Sequence, residues 1–141
     1  MLTVQTIWRN GTMNLFMLQQ ALKDPQADLE RIKNQALALI LDTSAYSQTH
    51  WDAIFVCIEA YLLSGDNAYA NLYARVVRDR ARNMSKPLYE ATALRLIILS
   101  ESDPQLIAGH LQDLEKLAVE RVAVKDMYQA LLAQLASALH A

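Results

Sequence analysis

Three histidines, one cysteine, three glycines and a scatter of serines are the residues of this 141-residue chain from which site chemistry would have to be built. His50, His110 and His140 stand far apart, and none belongs to a His-Glu-x-x-His arrangement or to a Glu-x-x-His pair repeated on two helices. A zinc or di-iron centre is therefore not expected. His110 with Asp113 one turn on is the nearest approach to a ligand pair, and it has no convergent partner on another element. Cys57 has no second Cys and no paired His, so it reads as a small core residue rather than a nucleophile. The serines fall at loop and cap positions without a Gly-x-Ser-x-Gly elbow, and three glycines are too few for a phosphate-cradling loop. The residues predict no catalysis, no cofactor and no metal.

Composition bounds the rest. Thirteen Lys and Arg against 15 Asp and Glu leave a net charge of −2, which gives no global attraction to nucleic acid or acidic lipid. One cysteine excludes a disulfide framework. No apolar run approaches the ~20 residues that span a bilayer, so no membrane insertion is expected. Met1 to Asn10 carries Trp8 and Arg9 and lacks a basic region followed by an apolar stretch, which predicts a cytoplasmic protein without a secretory leader. The length suits a single domain, 1–141.

The elements that would position these residues are helices, because apolar residues recur at three and four and Gly and Pro sit almost entirely at boundaries. About seven helices are expected. The first runs from about Thr12 to Lys23, and Asp24-Pro25 then caps and opens a second carrying Leu29, Ile32, Ala36, Leu39 and Ile40. The polar stretch from Asp42 to Thr49 reads as the longest loop, with Thr49 and Asp52 as a weakened capping box. A third helix places Trp51, Ile54, Phe55, Ile58, Tyr61 and Leu62 on one broad face and stops at Gly65. In the fourth, opened by Asp66-Asn67, Tyr69, Leu72, Tyr73 and Val76 lie on one side and Arg75, Arg78 and Arg82 on another. Asn83 to Ser85 breaks it, and Ser85 with Pro87 opens a fifth helix apolar enough to be buried on more than one side. Asp103-Pro104 opens the sixth, a break is expected over Arg121 to Lys125 with Asp126 and Gln129 capping a fresh start, and a last helix runs from about Met127 to His140.

The helix starts near His50 and Lys86 are about 36 residues apart, and the first lies about as far upstream, which is the period of a helical-hairpin repeat. The segment Tyr61-Leu-Leu-Ser-Gly65, followed by Ala70 and Tyr73, resembles the tetratricopeptide family. Tyr61, Gly65 and Ala70 match its pattern, whereas Ile58 stands where a small residue is usual and the closing Pro is missing. The expected fold is all-α, with hairpins over about 12–42, 50–84 and 86–122 and a capping helix over about 126–140, either stacked or closed as an irregular bundle. The resemblance implies a concave side bearing Asp52, Phe55, Glu59 and Leu62, with Leu88 and Arg95 in comparable positions of the next hairpin. Such a groove suits a helical or unstructured segment of another protein, as in an adaptor or a small dedicated chaperone of bacterial secretion systems. Glu59 and Arg95 equally read as solvated charges.

A different class of function would rest on the face formed by Arg75, Arg78 and Arg82. Asn67 to Tyr89 holds five basic residues and one acid, whereas Asp24 to Asp66 is acidic. Such a face in a regulatory domain would contact nucleic acid or a transcription partner, with strong salt dependence. It carries no interleaved aromatics, and as a solvated face it would simply balance the acidic segment. A homo-oligomer buried through the fifth helix is a third reading.

Overall fold

The computed structural model describes residues 14–139, and among these it contains seven α-helices and no strand. Thr12, the segment from Met1 to Asn10 and His140 lie outside the described residues. The helices are α1 (Leu15–Ala21), α2 (Leu29–Asp42), α3 (Gln48–Leu63), α4 (Asn67–Asn83), α5 (Pro87–Ser100), α6 (Pro104–Glu120) and α7 (Val122–Leu139). The chain divides into two compact units, Met1–Tyr69 and Ala70–Ala141.

In the first unit α2 packs along α3 and α1 contacts both. The core is Leu18 and Ala21 of α1, Ile32 and Ala36 of α2, and Val56, Cys57 and Ala60 of α3. Asn14 caps α1, its side chain accepting the Met17 N–H at 2.9 Å. The Asp24-Pro25 pair does not open α2. The Asp24 carboxylate accepts the Gln26 N–H at 2.9 Å, closing a local turn, and Asp28 is the cap, accepting the Arg31 N–H at 3.1 Å. A short-range backbone bond has captured the first acid, so the helix starts at the next one.

The loop before α3 is likewise ordered by its own side chains. Ser47, two residues ahead of the expected Thr49, accepts the His50 N–H at 3.2 Å and donates to the Ser44 carbonyl at 2.9 Å. On α3 the expected single face proves too narrow: Trp51, Ala53, Phe55, Val56, Cys57, Ile58 and Ala60 are all buried. Small residues at 53, 57 and 60 let neighbouring backbones approach sides that periodicity alone leaves to solvent. Gly65 ends α3 as expected, with φ +84°, the Asp66 N–H reaching the Tyr61 carbonyl at 3.0 Å and the Gly65 N–H reaching Leu62 at 3.1 Å. Asp66 then accepts the Tyr69 N–H at 3.2 Å, starting α4.

In the second unit α5, α6 and α7 contact one another pairwise. The buried side of α4 is Ala70, Asn71, Ala74, Val77 and Ala81, so the large apolar residues point away from the interior. α4 stops in the same way as α3, with the Lys86 N–H on the Ala81 carbonyl at 2.9 Å and the Ser85 N–H on Arg82 at 3.1 Å, but a serine with φ +54° occupies the left-handed position. Ser85 therefore closes α4 instead of capping α5, whose first residue is Pro87 and whose cap residue Lys86 makes no side-chain cap bond. α5 is buried nearly all round, through Ala91, Ala93, Leu94, Leu96, Ile97 and Ile98, as its sequence predicts. Asp103 and Pro104 open α6 as expected, with Asp103 accepting the Gln105 N–H at 2.9 Å. The break at Arg121 is a single extended residue, φ −142°, and α7 restarts at Val122 rather than Met127. Val124 is fully buried there, and its packing outweighs the few tenths of a kcal/mol by which β-branched residues disfavour a helix.

Candidate functional site

The residues able to do chemistry turn out to hold the fold. His50 is buried, and its Nδ1 lies 3.2 Å from the Thr43 hydroxyl, which donates its own hydrogen to the Leu39 carbonyl at 2.6 Å. Nδ1 must therefore be the donor in that contact, and the imidazole ties the end of α2 to the start of α3. Cys57 is buried, and burial pushes its thiol above the ordinary value against the opposing charge of Lys33. A thiol held protonated in this way is a poor nucleophile. Among the described residues no group of three or more His, Cys, Asp or Glu is placed to hold a metal ion.

Lys33 escapes a sequence reading, because a lysine on an amphipathic helix is taken for a solvated residue. It is 7% exposed, with its ammonium 2.6 Å from Glu30 Oε1 and 4.6 Å from the centre of the Tyr61 ring, which in turn stacks on Tyr69 at 5.4 Å. The i, i+3 spacing of Glu30 and Lys33 was the only signal available. A neutralised ammonium over an aromatic face is a stable way to bury a lysine.

In the second unit a buried asparagine does similar work. Asn71 Nδ2 is within 3.4 Å of the Ile97 carbonyl, 3.2 Å of Ser100 Oγ and 3.1 Å of Glu101 Oε2, so it binds α4 to the C-terminal end of α5. The expected basic face is largely committed to neighbours. Arg78 lies with its side chain 15% exposed, Nε 3.0 Å from Asp79 and Nη1 3.5 Å from His110 Nδ1, while Arg82 Nε reaches the buried Glu90 at 3.1 Å. Arg75 is exposed. His110 is held below the usual imidazole value by burial first, then by Arg78 and Arg75, with Asp113 and Glu101 opposing.

The six residues assigned to a groove divide between the two units. On α3, Asp52, Glu59 and Leu62 are half-buried and Phe55 is buried; on α5, Leu88 is exposed and Arg95 half-buried. Burial raises the Asp52 carboxyl above its ordinary value against a hydrogen bond from Gln48. An open depression of about 310 Å³ lies between the turn at Leu22 to Pro25 and Leu63, but its charged groups, Lys23 and Asp24, are exposed and enclose nothing.

The surface feature that stands out is on α4. Leu72, Tyr73 and Val76 are 48, 42 and 58% exposed, on the side of the helix opposite Ala70, Ala74 and Ala81. Sequence reasoning identified these residues as one face without assigning its direction. Compared with known protein families, curated proteins and solved structures, the chain matches none.

Proposed function

We propose that this chain is a non-enzymatic protein–protein interaction module of the cytoplasm, an adaptor or dedicated chaperone that binds a helical or unstructured segment of another protein. The observation that carries this reading is the outward face of α4, where Leu72, Tyr73 and Val76 meet water while alanines face inward. Isolated exposed apolar residues are ordinary, but three within five positions on one helix side form a contiguous patch. Covering apolar surface is worth about 25 cal/mol per Å², so a partner gains from this face without any chemistry. The tetratricopeptide-like features at Tyr61, Gly65 and Ala70 support the same class of function, and Leu62 and Leu88 offer apolar contacts in their own units. A nucleic-acid role is disfavoured, since Arg78 and Arg82 are already paired to Asp79 and Glu90.

Affinity capture of the full chain from extract of its own cells tests this. Leu72→Ser with Val76→Ser should lose a specific captured protein while keeping its helical circular dichroism, and Arg75→Ala should reduce capture less. Nucleic acid in the captured material, with binding that falls steeply as salt rises, would overturn the reading.

A further inference from the structure

We infer that the partner segment docked by the outer face of α4 is an acidic amphipathic α-helix. This rests on the interaction-module reading and names the chemistry of its partner. α4 holds four arginines, Arg75, Arg78, Arg80 and Arg82, against the single acid Asp79, in a chain whose net charge is −2. Of these, Arg75 stands one turn from Leu72 and Arg80 one turn from Val76, at the borders of the apolar patch, whereas Arg78 and Arg82 are turned to Asp79 and Glu90. Arg75 is exposed beside Val76 and one turn beyond Leu72, so a segment lying over Leu72, Tyr73 and Val76 brings its own flanking side chains to a guanidinium. Arginine matches a carboxylate in a planar fork, which adds register to apolar contact.

A helix suits this face because α4 has no backbone to lend to a strand. Interior N–H and C=O groups of a helix are bonded within it, and no strand occurs among the described residues, so an extended peptide would find no main-chain partner here. A helix satisfies its own backbone and presents residues at i, i+3 and i+4 to the ridge made by Leu72, Tyr73 and Val76. A second copy of α4 is a poor occupant, since it would set arginines against arginines. Phosphates of a nucleic acid would suit Arg75 but leave the three apolar side chains in water. A lipid surface would have to be held by about 6 Å of apolar helix, the rise over five residues.

The test uses the full chain and a fluorescently labelled peptide of about five helical turns, with leucines at every third and fourth position and glutamates on both flanks. Controls replace each glutamate by lysine, or scramble the register. The glutamate peptide should bind about tenfold more tightly than the lysine peptide. Arg75→Glu should weaken the first and strengthen the second. Leu72→Ser with Val76→Ser, both exposed positions, should weaken the glutamate peptide about tenfold with helicity and melting temperature retained. Equal affinity for the two peptides or for the scrambled one, or indifference to the α4 substitutions, would overturn the inference. So would binding of phosphatidylserine vesicles or duplex DNA, or concentration-dependent self-association by light scattering, that the same substitutions abolish. If a captured protein depends on Leu72 and Val76 but the glutamate peptide does not displace it, the inference fails while the interaction-module reading stands. If nothing specific is captured, that reading fails itself.

Discussion

Asn71 and Glu101, thirty residues apart in the chain, meet with Nδ2 of the amide 3.1 Å from Oε2 of the carboxylate. The asparagine is buried, and the same amide nitrogen also lies near Ser100 Oγ, whose hydroxyl turns back on the Leu96 and Ile97 carbonyls at 2.8 and 3.0 Å. The end of α5 is thus joined to α4 by a polar cluster set among alanines and isoleucines. Glu101 extends the cluster outward by accepting the Asp103 N–H at 3.3 Å, next to the start of α6.

Asn71→Ala should therefore destabilise the chain by about 1–2 kcal/mol, measured by urea unfolding, because donors to Ser100 and Glu101 disappear from a buried site. Asn71→Asp should cost more at neutral pH, by setting a second carboxylate against Glu101, and the difference between the two variants should shrink on acidification. Equal unfolding midpoints for Asn71→Ala and the native chain would show that the cluster contributes nothing.

The two helix stops predict substitutions of opposite sign. Gly65 has φ +84° and nothing within 4 Å of an added Cβ, so Gly65→Ala should cost about 1 kcal/mol from backbone strain alone. Ser85 adopts φ +54° in the equivalent position, and Ser85→Gly should stabilise by about 0.5–1 kcal/mol. Thermal melts of the two variants should move in opposite directions.

Two titrating groups set different pH windows. The His110 pKa is lowered in the folded chain, so the native state favours the neutral imidazole. Its contribution is present above the usual value of about 6.5 and is lost as pH falls below that toward the depressed folded value. His110→Gln should flatten stability against pH in that window. The Asp52 pKa is raised above 3.8, so its ionised form is disfavoured on folding, and acidification through the range just above 3.8 relieves that cost. Asp52→Asn should remove this second, opposite slope, read from unfolding midpoints across the two ranges.

Lys33 and Cys57 are linked electrostatically. Removing the ammonium with Lys33→Met should raise the Cys57 thiol still further and slow its alkylation in the native chain at fixed pH. The native thiol should itself react much more slowly than in urea, because it is buried. An unchanged alkylation rate in Lys33→Met would show that the two groups are not coupled.

The all-α class and many boundaries were legible because their causes are local. A left-handed stop at Gly65, an acid followed by proline at Asp103-Pro104 and a polar loop ahead of α3 act within a few residues, so reading along the chain finds them. Asp24-Pro25 reads as the start of α2, and only the folded turn shows that the Gln26 N–H has claimed Asp24 and that Asp28 is the cap. Val122 to Val124 carry weak helix preference, and the burial of Val124 in the tertiary core made them the first turn of α7.

Direction was decided by the tertiary structure alone. The spacing of Tyr69, Leu72, Tyr73 and Val76 established that they share a side of α4, and that of Arg75, Arg78 and Arg82 established another. Apolar area by itself favours turning the large residues inward, but close approach of neighbouring elements demands small ones, and here the side with Ala70, Ala74, Val77 and Ala81 went inside. In the fold the alanine side and Asn71 are buried, which left Leu72, Tyr73 and Val76 at the surface beside Arg75. The burial of Lys33 has the same origin, for a lysine goes inside only where another element brings it a ring, here Tyr61 of α3. Sequence alone determined which residues travel together on each helix; long-range packing determined which of them face the interior and which face water.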